Sequence, residues 1–231
     1  MAISINTVYQ RVLALANKEQ RGYITPQEFN LYANQAQLEI LNQYFYDTNQ
    51  FGRISGNDTQ YCDMLELLHE KLNVLTVSVN LAQGNGNFFI IPEDAYKIGT
   101  VTHVLDRVST EIEPVNENEY VNMSISPLTS PTLMRPIYYL RNTSIIVNPS
   151  EITKIDVNYI KKPTTVQWNG YNTPSGQLYN ETESTNFELH PSEEPNLVLN
   201  ILKLAGIAMK DPSLYQLGAA EEAKDIQQEK Q

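Results

Sequence analysis

The hydrophobic pattern of this chain changes period twice, and that double change restricts the folds open to it. Up to residue 71 the apolar residues recur at intervals of three and four. From Leu72 they come in short β-branched runs separated by turn residues, and from Pro191 the helical interval returns. Helices at both ends can share one core only if the β region leaves their bundle and comes back to it. The expected class is therefore α+β, a helical bundle from the N- and C-terminal segments with an inserted antiparallel β domain. The expected division is 1–71 for the N-terminal helices and 72–163 for the β domain, then a loop at 164–190. Residues 191–231 supply C-terminal helices that complete the bundle and extend to a partner.

The first helix is expected over 6–18, with Val8, Val12 and Leu15 on one side and Tyr9, Leu13 and Ala16 beside them. The second covers 26–46. Thr25 suits its N-cap, Pro26 its first position, and Glu28 places a carboxylate at the positive end. At about 100° per residue, Phe29, Tyr32, Ala33, Ala36, Ile40 and Tyr44 form one apolar stripe. Leu31, Leu38, Leu41 and Phe45 form another nearly opposite. Such a helix needs cover on both sides, from two elements of its own chain or from its own chain and a neighbouring molecule. A third helix, capped by Asp58, should bury Tyr61, Met64, Leu65 and Leu68.

Strands are expected at 74–80, 88–91, 98–105, 138–140, 144–147 and 154–160, with hairpin turns at Asn85-Gly86 and Arg141-Asn142. Between them, 110–136 carries four prolines and the acidic run Glu111, Glu113, Glu117 and Glu119, which predicts a surface excursion with a short helix near 116–123. The polar stretch 164–184 holds Trp168, Tyr171 and Tyr179 and reads as a flexible or partner-ordered loop. The apolar run 197–209 then predicts a buried helix. Asp211 and Pro212 start a polar helix with only a thin apolar line of Leu214, Leu217, Ala220 and Ile226.

Chemistry-bearing patterns are sparse. The segment from Asn17 to Phe29 lies on a calcium-loop template, but Asn17 stands at position one and Arg21 puts a cation where an oxygen ligand belongs. His69, His103 and His190 have no partners at metal-ligand spacing and suit surface or capping roles. Gly84-Asn85-Gly86 lacks the lysine and third glycine of a phosphate cradle and reads as a turn. No serine sits in a nucleophile elbow, and the Glu111/Glu113 pair that a glycosidase would need lies in the solvated excursion. No enzyme activity, metal or cofactor is expected.

The formal charge of -11 argues against gripping nucleic acid through its phosphates. The lone Cys62, flanked by acidic Asp63 and Glu66, reads as a small buried residue. No apolar run approaches the roughly 20 residues needed to span a bilayer. The opening MAISINTVYQ lacks the parts of a signal peptide, which predicts synthesis in a cytoplasm.

Four stretches carry a family resemblance: 89–98 (FIIPEDAYKI), 135–138 (RPIY), 145–149 (IIVNP) and 157–163 (VNYIKKP). In this order they resemble the β insert of head-to-tail connector proteins of short-tailed bacteriophages. The N-terminal text VYQRVLALANKEQRGYITPQEFNLYANQAQLEILNQYF is still more similar to the ring proteins of crAss-like phages. The resemblance covers most of 6–210 and is weak across 164–190.

It implies a structural virion component, an adaptor ring of twelve copies at the head-to-tail junction. Such a ring docks on the portal protein or on adjacent tail or ring proteins and continues the channel through which DNA passes without specific binding. No catalytic residues come with the family. On this reading Leu31, Leu38, Leu41 and Phe45 are the candidate subunit interface, and Leu214, Leu217 and Ile226 the candidate docking line for a partner such as the portal. The alternative from another class is a glycan- or peptide-binding module presenting Trp168, Tyr171 and Tyr179.

Overall fold

The computed structural model describes residues 3–18, 24–51, 59–84, 87–105, 107–173 and 176–208. The chain is α+β. In chain order it forms α1 (Ile5–Lys18), α2 (Pro26–Phe51), α3 (Thr59–Asn73), β1 (Thr76–Ala82), β2 (Phe88–Ile90), β3 (Ala95–Leu105), β4 (Val108–Glu111) and β5 (Glu113–Pro114). There follow α4 (Glu117–Ile125), β6 (Ile137–Arg141), β7 (Ser144–Asn148), β8 (Lys154–Lys161), β9 (Gly170–Thr173), β10 (Gly176–Tyr179) and, after a single 3-10 turn, α5 (Glu194–Ala208). Two compact units result. One combines Met1–Val74 with Pro163–Gln231, and the other is Leu75–Lys162, close to the expected limits of 72 and 163.

In the helical unit, α5 packs on both α1 and α2, and α3 packs on α2. The buried face of α1 is Ile5, Val8, Tyr9, Val12 and Ala16. Leu15, expected inside, is exposed because it lies at the rim of that face in the helix's last turns. The start of α2 is locally encoded. The Thr25 N–H and hydroxyl donate to Glu28 Oε2 at 2.9 and 2.7 Å, and the Glu28 N–H donates back to Thr25 Oγ1, a reciprocal capping box. Those hydrogen bonds hold the Glu28 carboxyl below its ordinary pKa. In α5, Leu197, Val198, Ile201, Leu202 and Ala205 are buried, which is the face the apolar run predicted.

The β unit is a pair of four-stranded sheets, ordered β1-β8-β3-β4 and β2-β7-β6-β5. Phe89, Val101, Ile112, Tyr138, Ile145 and Val157 lie at the centre of its core. All pairings are antiparallel except β5 with β6, so the second sheet is mixed rather than wholly antiparallel. The Gly84 turn does not join a hairpin as expected. Its N–H donates to the Phe88 carbonyl at 3.0 Å, but β1 pairs with β8 and β2 with β7, so the chain crosses there from one sheet to the other. Asn85 and Gly86 lie outside the described residues. The expected turn at Arg141-Asn142 does form, with Asn142 at φ 51°, a conformation asparagine tolerates.

Part of the 110–136 excursion is ordered by the sheets. β4 pairs back on β3, and Arg107, just before β4, takes φ 69°. Arginine, with a Cβ and no short polar group to bond the local backbone, is strained there, and no glycine signals the turn. Arg107→Asn is expected to raise the stability of the β unit by about 0.5–1 kcal/mol, read as a higher urea midpoint at unchanged slope.

His103, expected at the surface or in a cap, is instead 3% exposed on the inner side of β3, with Nε2 donating to the Leu133 carbonyl at 2.9 Å. Burial lowers its pKa. A depressed folded value means that the unfolded chain takes up the proton first. The stability contributed by the neutral ring is present above the ordinary value of about 6.5 and is lost as pH falls through the lowered folded value. Urea unfolding at pH 7.5 and 5.0 should therefore show a loss on acidification that His103→Asn reduces. The Glu28 effect has the same sign but falls in the carboxylate range, below that window.

Candidate functional site

The side of α2 that binds another segment is polar. Asn30, Asn34 and Gln37, spaced i, i+4 and i+7, share one flank of the helix beside its apolar face. Each holds the main chain of the extended segment 164–168. Asn34 Oδ1 accepts from the Val166 N–H at 2.8 Å, and its Nδ2 donates to the Val166 carbonyl at 2.9 Å. Asn30 does the same to Trp168, at 2.7 and 3.1 Å. Gln37 Nε2 donates to the Thr164 carbonyl at 3.0 Å. Side-chain amides thus replace a neighbouring strand. The alternate edge of the segment pairs normally, Gln167 exchanging two backbone hydrogen bonds with Thr185.

This corrects the reading of 164–190 as a loop. The segment continues into the β9–β10 hairpin, and Phe187 exchanges hydrogen bonds with Ile3 at the chain's start. Trp168 is 5% exposed and is not an aromatic docking surface. Its ring lies 4.6 Å from that of Tyr9, and its Nε1–H donates to Asn6 Oδ1 at 3.2 Å. Tyr171 is exposed and Tyr179 half-buried, with the Tyr179 ring 6.0 Å from Trp168. A patch that has lost its tryptophan to the core offers little for a sugar to stack on.

The four candidate interface residues separate. Leu31 is 71% exposed, Leu38 and Phe45 are half-buried, and Leu41 is fully buried. Leu41 sits about 120° round from Phe29, close enough to the main face to join Phe29, Ala33, Ala36, Ile40 and Tyr44 in the unit's own core. It is withdrawn as an interface residue. The outward part of the stripe is Leu31 with the solvent-accessible parts of the half-buried Leu38 and Phe45. Leu214, Leu217 and Ile226 lie outside the described residues, as do the side chains of Cys62, Tyr61 and Met64.

Between α2, α3 and α5 lies a recess of about 470 Å³ lined by Ile40, Tyr44, Leu68 and Leu199. Among the described residues its one lysine is paired with a carboxylate, and its other carboxylates accept from glutamine amides. Lys71 Nζ is 2.8 Å from Glu193 Oε1 and 5.6 Å from the centre of the Tyr44 ring, and Gln43 Nε2 donates to Asp47 at 3.0 Å. A paired lysine and carboxylate hold helices together; no nucleophile stands beside a base in this recess. Glu28, the twelfth position of the calcium-loop template, is taken up by the helix cap, and residues 19–23 of that template lie outside the described residues. His190 caps the turn before α5, its Nδ1 accepting from the Ser192 N–H at 3.3 Å, and His69 is exposed. Among the described residues no group of three or more His, Cys, Asp or Glu is placed to hold a metal ion, and no helix is long and apolar enough to cross a membrane.

No protein-family model matches the sequence, and no curated protein matches it significantly.

Proposed function

We propose that this chain is a non-enzymatic structural protein of a bacteriophage virion. It assembles as an oligomeric ring of the head-to-tail connector, docks on the portal or the next ring, and continues the DNA exit channel. The observation that supports this best is the architecture. A helical unit closed by both ends of the chain, with a separate β unit inserted, is the plan that the resembling segments imply, and those segments fall on β2–β3, β6, β7 and β8. The chain's negative charge is compatible with a conduit along which phosphates slide rather than bind. Leu31, a large apolar side chain left in solvent on the 26-residue α2, supplies a place for a neighbour.

Electron microscopy of purified virions tests the reading directly. This chain should be found as a ring at the junction of portal and tail, and its absence from that junction would refute the proposal. At residue level, Leu31→Asp should leave folding intact, within about 0.5 kcal/mol, while abolishing or weakening ring assembly. Leu41→Asp should unfold the helical unit, because it places a charge in a dry core. Light scattering and circular dichroism of the two variants separate assembly from folding.

A further inference from the structure

Two four-stranded sheets have four edges, and the two edges of the second sheet are guarded against pairing with another chain: β2 has three residues, and β5 has two including Pro114. The first sheet ends in β1 on one side and in the four-residue β4 on the other. β1 is different. It is seven residues long, TVSVNLA, without a charge or a proline, and it pairs with β8 in unbroken register from Thr76 to Ala82. At its two ends the Lys161 N–H donates to the Leu75 carbonyl and the Gln83 N–H to the Thr153 carbonyl, both at 2.9 Å. Odd-numbered residues therefore face β8, and the backbone N–H and C=O groups of Ser78, Asn80 and Ala82 point out from the sheet edge. The side chains of these three are exposed.

We propose that this edge pairs with a second copy of the chain, which seats its β4 antiparallel against β1 and continues the sheet from subunit to subunit. Strand direction permits it. The order β1-β8-β3-β4 alternates direction throughout, so β4 runs opposite to β1, and a copy placed beside the sheet in the same orientation continues the alternation. Alternation on β4 also matches. The Ile112 N–H donates to the Val101 carbonyl at 2.8 Å, so Ser109 and Glu111 are the residues whose backbone groups point outward.

Pairing Asn80 with Ser109 and Ser78 with Glu111 of the second copy would form about four backbone hydrogen bonds. It keeps the faces in register. The polar side chains and the Glu111 carboxylate stay on the solvent side, and Val79 and Leu81 lie opposite Thr110 and Val108 on the core side. Val108 is 64% exposed although it points toward the core side of its sheet, and Leu81 of the neighbour would cover it. Two different edges meeting head to tail form a heterologous contact, the kind that closes into a ring. The inference rests on the ring reading for that closure, whereas the pairing is a property of the two edges.

Cysteine cross-linking of the full chain, in a Cys62→Ser background, tests it. With Asn80→Cys and Ser109→Cys in one chain, mild oxidation should give a ladder of covalent oligomers. The combination Ser78→Cys with Asn80→Cys, which links copies that meet β1 to β1, should give at least about ten-fold less, since its sulfurs would lie outside disulfide reach. Asn80→Pro removes an outward N–H and one exposed side-chain hydrogen bond to Asp156, so it should fold, by circular dichroism, and yet stay monomeric by light scattering. Assembly of Asn80→Pro at the wild-type level, preferential linking of the second pair, or no linking at all would overturn the proposal. Rings without the Asn80–Ser109 link would sink the pairing and spare the ring reading. Covalent chains that never close, from a protein missing at the portal junction, would do the reverse.

Discussion

Trp168→Ala should cost the helical unit about 3–5 kcal/mol, the range for truncating a large buried aromatic, and a unit of ordinary stability would be left close to unfolding. The indole joins distant parts of the chain. It meets Tyr9 of α1, donates to Asn6, and sits on a main chain clamped by Asn30 of α2. Close packing continues behind it, since a Cβ added at Gly170 would come within 2.6 Å of the ring. Gly170→Ala should therefore destabilise the same unit, whereas Tyr171→Ala, at an exposed ring, should change stability by no more than about 0.5 kcal/mol. Urea unfolding followed by helical circular dichroism reads all three. A stable Trp168→Ala protein would return the residue to the role of a surface aromatic and reopen the glycan- or peptide-binding alternative.

Asn34→Leu should be the next most damaging change, by about 2–4 kcal/mol. It leaves the N–H and the carbonyl of Val166 without partners in a site largely closed to water, and each such group costs about 1–3 kcal/mol. Leucine matches asparagine in branching and heavy-atom count, leaves no cavity and is the better helix former, so neither lost volume nor helix propensity would explain the loss. Asn34→Asp separates the two bonds. The carboxylate still accepts from the Val166 N–H but faces the Val166 carbonyl with no proton to give. Denaturant midpoints for the two variants, with Asn30→Leu for comparison, measure how far the clamp acts as a unit. If Asn34→Leu is neutral, the segment 164–168 is held by its pairing with Thr185 and the burial of Val166 and Trp168 instead.

What could be read from the sequence was what local chemistry decides. Thr25, Pro26 and Glu28 are three residues apart at most and fix a helix start by themselves. β-branched runs placed all six expected strands, and Asn142 marked its own turn. The features that escaped depend on partners far along the chain. Asn34 and Val166 are separated by 132 residues, and nothing near Val166 indicates that its main chain will find an amide ladder. Polar, asparagine-rich text around Trp168 accordingly reads as loop. The ladder itself leaves a trace in the sequence, three amides at helical spacing along the flank of an apolar face, but apolar periodicity does not reveal it. Leu41 was misplaced for a related reason: a helix covered by two helices and a strand buries a wider arc than a single stripe, and the arc's edge reaches residues assigned to the other side.

The helical unit is closed by two pieces of chain with the whole β unit between them, and this has a consequence for synthesis. α2 leaves the ribosome well before the segment it must grip. At about 5–20 residues per second, the 132 residues from Asn34 to Val166 take about 7–26 s to make. During that interval Leu75–Lys162, a continuous stretch, has all the sequence it needs to fold, while α2 waits for this segment and, later still, for α5. An uncovered flank of leucines would be an aggregation hazard for those seconds. A flank of Asn30, Asn34 and Gln37 is not, because water serves the same donors and acceptors until the strand arrives to replace it.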